Sequence, residues 1–141
     1  MESCSWEEQF RMGNYLANRG DHSRALDCFL GVVADKPNHS MSWNNIGVAR
    51  LCLSEASKAI MAFEQALKID SKYRDAYHNR ALAYSEIGEL NLAMDDLNHA
   101  IALDPDHWAS YKHRSIIHQM LGDKEMSFKD YLKFKTLVGT D

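Results

Sequence analysis

The stretch of sequence that decides the fold is residues 74–107, which read RDAYHNRALAYSEIGELNLAMDDLNHAIALDPDH. Its second half places Ala93, Leu97 and Ala100 at intervals of four and three residues. That spacing puts the three side chains on one face of a helix. Gly88 stands before this face, and glycine can adopt the left-handed conformation that ends a helix. The stretch therefore predicts two helices joined by a tight turn.

The same pattern recurs every 34 residues along the chain. The two prolines, Pro37 and Pro105, are separated by twice that interval. Glycine or serine marks the turn in each copy, and small and large apolar residues alternate in the second helix. These three series are Gly20, Ser54, Gly88 and Gly122; Ala25, Ala59, Ala93 and Ser127; and Phe29, Phe63, Leu97 and Tyr131. Three residue classes in one register indicate an internal repeat.

Four copies of this pattern fill the chain. Starting the first copy at Trp6 leaves residues 1–5 as an N-terminal tail. The four repeats are then residues 6–39, 40–73, 74–107 and 108–141. Proline closes two of them, because proline cannot continue a helix. We therefore predict an all-α fold of eight helices, arranged as four helix-turn-helix repeats.

The pattern resembles the tetratricopeptide repeat, and the resemblance spans residues 6–141. The third repeat departs from the family signature only at Arg80, whereas the fourth departs at four positions: Arg114, His118, Phe134 and Gly139. Such degeneration is typical of a terminal repeat. The resemblance implies a right-handed α-solenoid in which the first helix of each repeat lines a concave groove. It also implies a non-enzymatic scaffold or adaptor that binds a peptide segment of a protein partner in that groove.

The family resemblance also implies which side chains face the groove. We expect asparagines to contact backbone or polar groups of the peptide, cationic side chains to contact acidic ones, and apolar side chains to form shallow pockets. These sets are Asn14, Asn45 and Asn79; Arg11, Lys112 and His113; and Val48, Leu51, Leu82 and Ile116. A carboxamide both donates and accepts, so it can satisfy the N–H and the C=O of an extended peptide. The alternative is that asparagine is simply tolerated on a solvated helix face.

A specialised groove of this family, the carboxylate clamp for chaperone tails, is disfavoured. The clamp needs three cations and two asparagines at five positions of three successive repeats. Counted from the first repeat, this chain offers Phe10, Asn14, Asn45, Asp75 and Asn79 at those positions. Both asparagines are present, but the cations are absent and an aspartate would repel a carboxylate.

The last predicted helix carries more apolar residues than one side of a helix can bury. They are Phe128, Tyr131, Leu132, Phe134, Leu137 and Val138. An uncovered apolar surface favours association. The second hypothesis is therefore a homodimer or docking face formed by Phe128, Tyr131, Phe134 and Leu137. The alternative is that a following segment of a longer chain covers this helix.

Composition and motifs argue against other classes of protein. Sixteen basic and twenty acidic residues give a formal net charge of −4, which disfavours a nucleic-acid binder. No apolar run approaches the roughly 20 residues of a membrane span. The glycine and serine motifs of nucleotide-binding and hydrolytic enzymes are absent, and no histidine pair has metalloprotease spacing. We therefore expect no enzymatic activity, no cofactor and no metal site.

Two smaller expectations follow from particular residues. Three cysteines, Cys4, Cys28 and Cys52, form an odd set without CxxC spacing, which indicates free thiols in a reducing compartment such as the cytoplasm. Asp95 and Asp96 lie in the second helix of the third repeat. There we expect a solvated outer face rather than an acid/base pair.

Overall fold

The structure, a computed structural model, describes residues 3–139 and contains eight α-helices within them. They are α1 (Trp6–Asn18), α2 (His22–Asp35), α3 (Ser40–Cys52), α4 (Ala56–Ile69), α5 (Arg74–Glu86), α6 (Leu90–Leu103), α7 (Trp108–Met120) and α8 (Lys124–Val138). The predicted all-α fold of helix-turn-helix repeats is confirmed. Residues 1–2 of the predicted tail and residues 140–141 of the predicted fourth repeat lie outside the described residues.

The chain forms two compact units, one ending at Ala76 and the other beginning at Tyr77. The N-terminal unit contains α1 to α4, and the C-terminal unit contains most of α5 together with α6, α7 and α8.

Short-range signals set the ends of the helices. Ser5 and Glu8 form a capping box at the start of α1, in which the Glu8 N–H donates to Ser5 Oγ and the Ser5 N–H donates to Glu8 Oε2. At the turns inside the repeats, Gly20, Gly88 and Gly122 have φ between 82° and 84°. This left-handed region favours glycine. The predicted turn residues therefore end the first helix of their repeats.

The core of the N-terminal unit is shared between successive helix pairs. Leu26 and Phe29 of α2 pack in one cluster with Ile46 and Ala49 of α3 and with Ala62 of α4. Glycines allow the helices of one pair to approach closely. A Cβ atom at Gly13 would lie 2.6 Å from the Phe29 ring, and one at Gly47 would lie 2.3 Å from the Phe63 ring.

The core of the C-terminal unit uses the same arrangement with smaller partners. Ala81 of α5, Ala93 and Leu97 of α6, and Ile117 of α7 form one buried cluster. Ala81 stands where the second repeat has Gly47, and Leu97 stands where it has Phe63. The larger residue on one helix is matched by a smaller residue on the other, so the combined volume is maintained.

In each unit, an aromatic side chain of a first helix forms a hydrogen bond with the loop that precedes that helix. The Trp43 indole N–H donates to the Pro37 carbonyl oxygen at 2.8 Å. The Tyr111 hydroxyl donates to the Pro105 carbonyl oxygen, also at 2.8 Å. These contacts satisfy carbonyl groups beyond a helix end, where no helical partner exists.

The expectation that Asp96 lies on a solvated face is wrong. Asp96 is buried and accepts two hydrogen bonds from the Arg80 guanidinium, at 2.8 and 2.7 Å. The same pair recurs 34 residues later, where Arg114 donates to Asp130 at 2.7 and 2.8 Å. The bonds to Asp130 raise the pKa of Arg114. Two parallel charge-assisted hydrogen bonds hold each arginine in a fixed orientation against its carboxylate.

These ion pairs explain two departures from the family signature. Arg80 and Arg114 occupy the position that Ile46 holds in α3, where the residue facing it is Ala62. Each arginine also lies over a tyrosine ring: the Arg114 Cζ atom is 5.5 Å from the Tyr111 ring centroid. In the second repeat this space is filled by apolar side chains. In the third and fourth repeats it is filled by an arginine–aspartate ion pair.

Candidate functional site

A pocket of about 270 Å³ opens in the N-terminal unit between α1 and α3. Its lining residues are Asn14, Ala17, Asn18, His22, Phe29, Asn45, Val48 and Ala49. The first helices of two successive repeats supply most of them, as the resemblance implies for a groove. Apolar side chains and three carboxamides therefore meet in one concavity, which is the composition of a ligand pocket.

Two of the carboxamides are joined. Asn45 Nδ2 donates to Asn14 Oδ1 at 3.2 Å. Within residues 3–139 these two side chains make no other hydrogen bond. Asn45 keeps its second N–H and its carbonyl oxygen for a ligand, and Asn14 keeps its amide group. The bond orients both side chains, so less rotational freedom is lost when a ligand binds them.

His22 lines the same pocket and has an unsatisfied nitrogen. Its Nδ1 is buried and has no hydrogen-bond partner among the described residues. A buried polar atom without a partner costs about 1–3 kcal/mol. A polar group of a ligand that reached this nitrogen would recover that cost.

Of the other groove residues predicted in the N-terminal unit, one lines this pocket and two do not. Val48 lines the pocket with Asn14 and Asn45, but Leu51 does not. Arg11 is exposed and lines a second, larger pocket together with Met12 and Tyr15.

In the C-terminal unit, His113 belongs to a histidine cluster. His113 Nδ1 lies 2.8 Å from the Ala109 carbonyl oxygen and 2.9 Å from His78 Nε2. A carbonyl oxygen only accepts, so Nδ1 carries the proton and His78 Nε2 is an acceptor. The ring of His107 lies edge-on to that of His78, with centroids 5.2 Å apart.

The surroundings of His113 oppose the positive charge that its predicted contact with acidic side chains requires. Burial lowers the pKa of His113 below its ordinary value of 6.5, and the charge of Lys112 lowers it further, against the opposing effect of the bond to Ala109. The lowered pKa favours the neutral form of His113. The groups around His113 are Ala109, one turn earlier in α7, and His78 of α5. The residues adjacent to His113 in the sequence therefore gave no sign that it is half-buried.

The remaining predicted contacts of this unit differ in accessibility. Asn79 and Leu82 of α5 are half-buried, whereas Ile116 of α7 is exposed. Lys112 is exposed as well, and its Nζ atom lies 5.7 Å from the centroid of the Phe134 ring.

The predicted association residues lie on α8 with unequal exposure. Phe128 and Tyr131 are exposed, and Phe134 and Leu137 are half-buried. Phe134 packs between Trp108 and Tyr131, with centroid distances of 5.8 and 6.1 Å. An aromatic surface thus spans the start of α7 and the middle of α8.

His22 is the pocket residue that sequence reasoning missed. It begins α2, the second helix of its repeat, whereas the resemblance implies that first helices line the groove. Its place directly after Asp21, whose side chain caps α2, was the available signal, because a helix N-terminus lies close to the preceding helix in a tight hairpin.

Residues 3–139 contain no group of three or more His, Cys, Asp or Glu side chains placed to hold a metal ion. None of their helices combines the length and the apolar composition of a membrane span.

Comparison with known proteins identifies the repeat. A family model described as "Tetratricopeptide repeat" matches residues 42–73 and 75–107. The peroxisomal targeting signal receptor of Saccharomyces cerevisiae is 27% identical over 82 residues, which are 58% of this chain and 13% of the receptor. The chain spans only 12–13% of the length of such curated relatives.

Solved structures share the fold. MamA from Desulfovibrio magneticus superposes with a TM-score of 0.86 at 26% identity, over 94% of this chain and 75% of MamA. The first tetratricopeptide domain of Spaghetti (RPAP3), solved with the HSP90 peptide SRMEEVD, superposes with a TM-score of 0.81 at 21% identity, over 86% of this chain and 97% of that domain.

Acidification is expected to destabilise the protein through His113. Because burial lowers the pKa of folded His113, the unfolded chain binds more protons near pH 6.5, and the free energy of unfolding decreases as the pH falls through that value. Urea unfolding at pH 7.5 and pH 5.5 measures this decrease. It is expected to be smaller in His113→Gln than in wild type, and unchanged in His99→Gln, which alters an exposed histidine. An equal decrease in wild type and His113→Gln would contradict the assignment.

Proposed function

This chain carries tetratricopeptide repeats, and we propose that it is a protein-interaction module that binds an extended peptide segment of a partner at the Asn14–Asn45 pocket. The observation that carries the proposal is the pair of mutually oriented carboxamides beside an apolar surface and an unsatisfied histidine nitrogen. Proteins with such repeats commonly act through protein–protein contacts, and no catalytic role is proposed.

The chemistry of the pocket suits a peptide backbone with one apolar side chain. An extended segment presents alternating N–H and C=O groups, and the free groups of Asn45 and Asn14 match both kinds. Phe29 and Val48 provide an apolar surface for a side chain of the peptide. A cavity of about 270 Å³ has room for one side chain of moderate size and not for a folded element.

The known relatives support the class of ligand. One is named as a receptor for a targeting signal, and another was solved with a bound peptide. We carry over from them the binding of a peptide segment and nothing about its sequence.

The other predicted contacts lie outside the Asn14–Asn45 pocket and remain proposals. In the N-terminal unit, Arg11 and Leu51 would act outside the pocket. In the C-terminal unit, the accessible candidates are Lys112 and Ile116, and the half-buried ones are Asn79 and Leu82. Cys4, Cys28 and Cys52 are free thiols, which supports the proposal of a reducing compartment such as the cytoplasm.

Binding of the acidic tails of chaperones, as a co-chaperone would do, is a less favoured function of the same groove. Phe10 stands where the clamp needs a lysine, and its ring packs against Phe29 and His39 at centroid distances of 6.0 and 4.9 Å. Asp75 stands where a second cation is needed and is paired with Arg74. Neither position can supply the charge that grips a terminal carboxylate.

Removal of the carboxamides tests the pocket. Peptides of twelve residues selected from a phage-displayed library on wild-type protein serve as probes, and titration calorimetry measures their affinity. In the double variant Asn14→Ala, Asn45→Ala we expect the loss of two hydrogen bonds, about 1–3 kcal/mol in total, which weakens binding roughly 5- to 150-fold. Asn91→Ala, which removes an exposed carboxamide from α6, is the matched control and is expected to bind as wild type does.

Two results would contradict the proposal. One is an unchanged affinity in the double variant while its circular dichroism and melting match wild type. The other is that the peptide SRMEEVD binds wild type more tightly than the selected peptides do, because that result would favour the chaperone-tail reading.

A second candidate function is self-association through α8. The observation that favours it is that Phe128 and Tyr131, at positions whose counterparts in the first two repeats are buried, are exposed in the fourth. Exposed apolar patches of this kind mark association sites in soluble proteins. A self-associating adaptor could present several peptide pockets at once and gain avidity.

Sedimentation equilibrium tests self-association directly. We expect the average mass of wild type to rise over a hundredfold range of concentration, and Phe128→Glu to remain monomeric, because a charge on this face must be desolvated on association. Wild-type protein that stays monomeric at every concentration would remove this candidate and leave the peptide pocket untouched.

A further inference from the structure

The first and the fourth repeats expose side chains whose counterparts in another repeat are buried. We define the trailing face as Phe128 and Tyr131 of α8, and the leading face as Met12 and Tyr15 of α1. Residues a multiple of 34 positions apart occupy the same repeat position and have corresponding local surroundings.

The trailing face has buried counterparts in the first repeat. Phe128 corresponds to Leu26, and Tyr131 corresponds to Phe29. Leu26 and Phe29 are buried in a cluster to which α3 of the next repeat contributes Ile46 and Ala49. In α8, however, Phe128 is 62% exposed and Tyr131 is 45% exposed.

The leading face has buried counterparts in the second repeat. Met12 corresponds to Ile46, and Tyr15 corresponds to Ala49. Ile46 and Ala49 are the residues of α3 that receive Leu26 and Phe29 of α2. In α1, Met12 is 50% exposed and Tyr15 is 55% exposed.

The leading face also contains a cavity. A mainly apolar pocket of about 770 Å³ is lined by Met12 and Tyr15 together with Cys4, Glu8, Gln9, Arg11 and Cys28. Its size allows it to accept the aromatic side chains of a partner helix.

From these correspondences we infer that the leading face of one molecule receives the trailing face of a second copy. The contact between α2 and α3 inside the N-terminal unit provides the template: residues at the trailing positions of one repeat insert against residues at the leading positions of the next. The inference rests on the proposed self-association and specifies which surface the last helix meets.

Charge favours this pairing of unlike faces over a pairing of two trailing faces. Helix α8 carries four lysines and two acidic residues, and one of those acids, Asp130, is already bonded to Arg114. Helices α1 and α2 together carry four acidic residues and two arginines. Two copies of α8 would bring lysines together, whereas α8 against α1 and α2 joins opposite net charges.

Such an association has a characteristic symmetry. A contact between two different faces is heterologous, so each bound molecule still offers one free face, and assembly continues beyond two copies unless a ring closes. A contact between two copies of the trailing face would be isologous and would stop at a dimer.

A mixing experiment distinguishes the two arrangements. Phe128→Glu blocks only the trailing face, and Met12→Glu blocks only the leading face. We expect each variant alone to be monomeric. Mixed in equal amounts, they should form a dimer and nothing larger, because the intact leading face of one binds the intact trailing face of the other. Met61→Glu, at an exposed apolar residue of α4, is the matched control and should associate as wild type does.

Each outcome of the experiment bears on the inference. A mixed dimer at least tenfold tighter than either variant with itself is the expected result, with circular dichroism showing both variants folded. If Met12→Glu alone still dimerises and Phe128→Glu does not, the contact is isologous, so the head-to-tail inference is overturned while self-association stands. If wild type is monomeric throughout, both are overturned.

Discussion

The close approach of the two helices within each repeat is the contact on which the rest of this structure depends. In the first two repeats a phenylalanine of the second helix lies against a glycine of the first, and in the third a leucine occupies a cluster with an alanine. Each pair then has one apolar side left over, which in the N-terminal unit the next repeat covers. Because no repeat is complete alone, stability is shared between neighbours.

Sequence reasoning predicted the features that depend on spacing and failed where a partner from another helix decides the outcome. The eight helices, their glycine turns and the small and large residues of the core follow from periodicity. Asp96 looked like a surface carboxylate because its partner, Arg80, lies in the preceding helix and was visible only as a departure from the family signature. His113 looked like an available cation for the same reason, since its burial comes from contacts with another helix and the turn before it. His22 was missed because its helix was assigned to the opposite wall.

The same packing also generates both surfaces proposed to bind other proteins. Pairing the first helices of successive repeats brings Asn14 within hydrogen-bond distance of Asn45 and leaves a pocket beside them. The first repeat exposes Met12 and Tyr15, and the fourth exposes Phe128 and Tyr131. The proposed peptide pocket and the proposed head-to-tail contact therefore use different residues, so each can be changed without altering the other.

The most direct test of this account is a double-mutant cycle at Gly47 and Phe63, followed by chemical denaturation. A Cβ atom at residue 47 would overlap the buried Phe63 ring, so Gly47→Ala should lower the free energy of unfolding by about 1–3 kcal/mol. Combined with Phe63→Leu, which reproduces the alanine–leucine pair of the third repeat, its cost should fall by about 0.5–3 kcal/mol. Gly31→Ala, which meets only the flexible end of Gln9, is the control and should not destabilise the protein. Independent, additive losses at the two sites, or a Gly47→Ala variant as stable as wild type, would contradict the claim that this contact determines the fold.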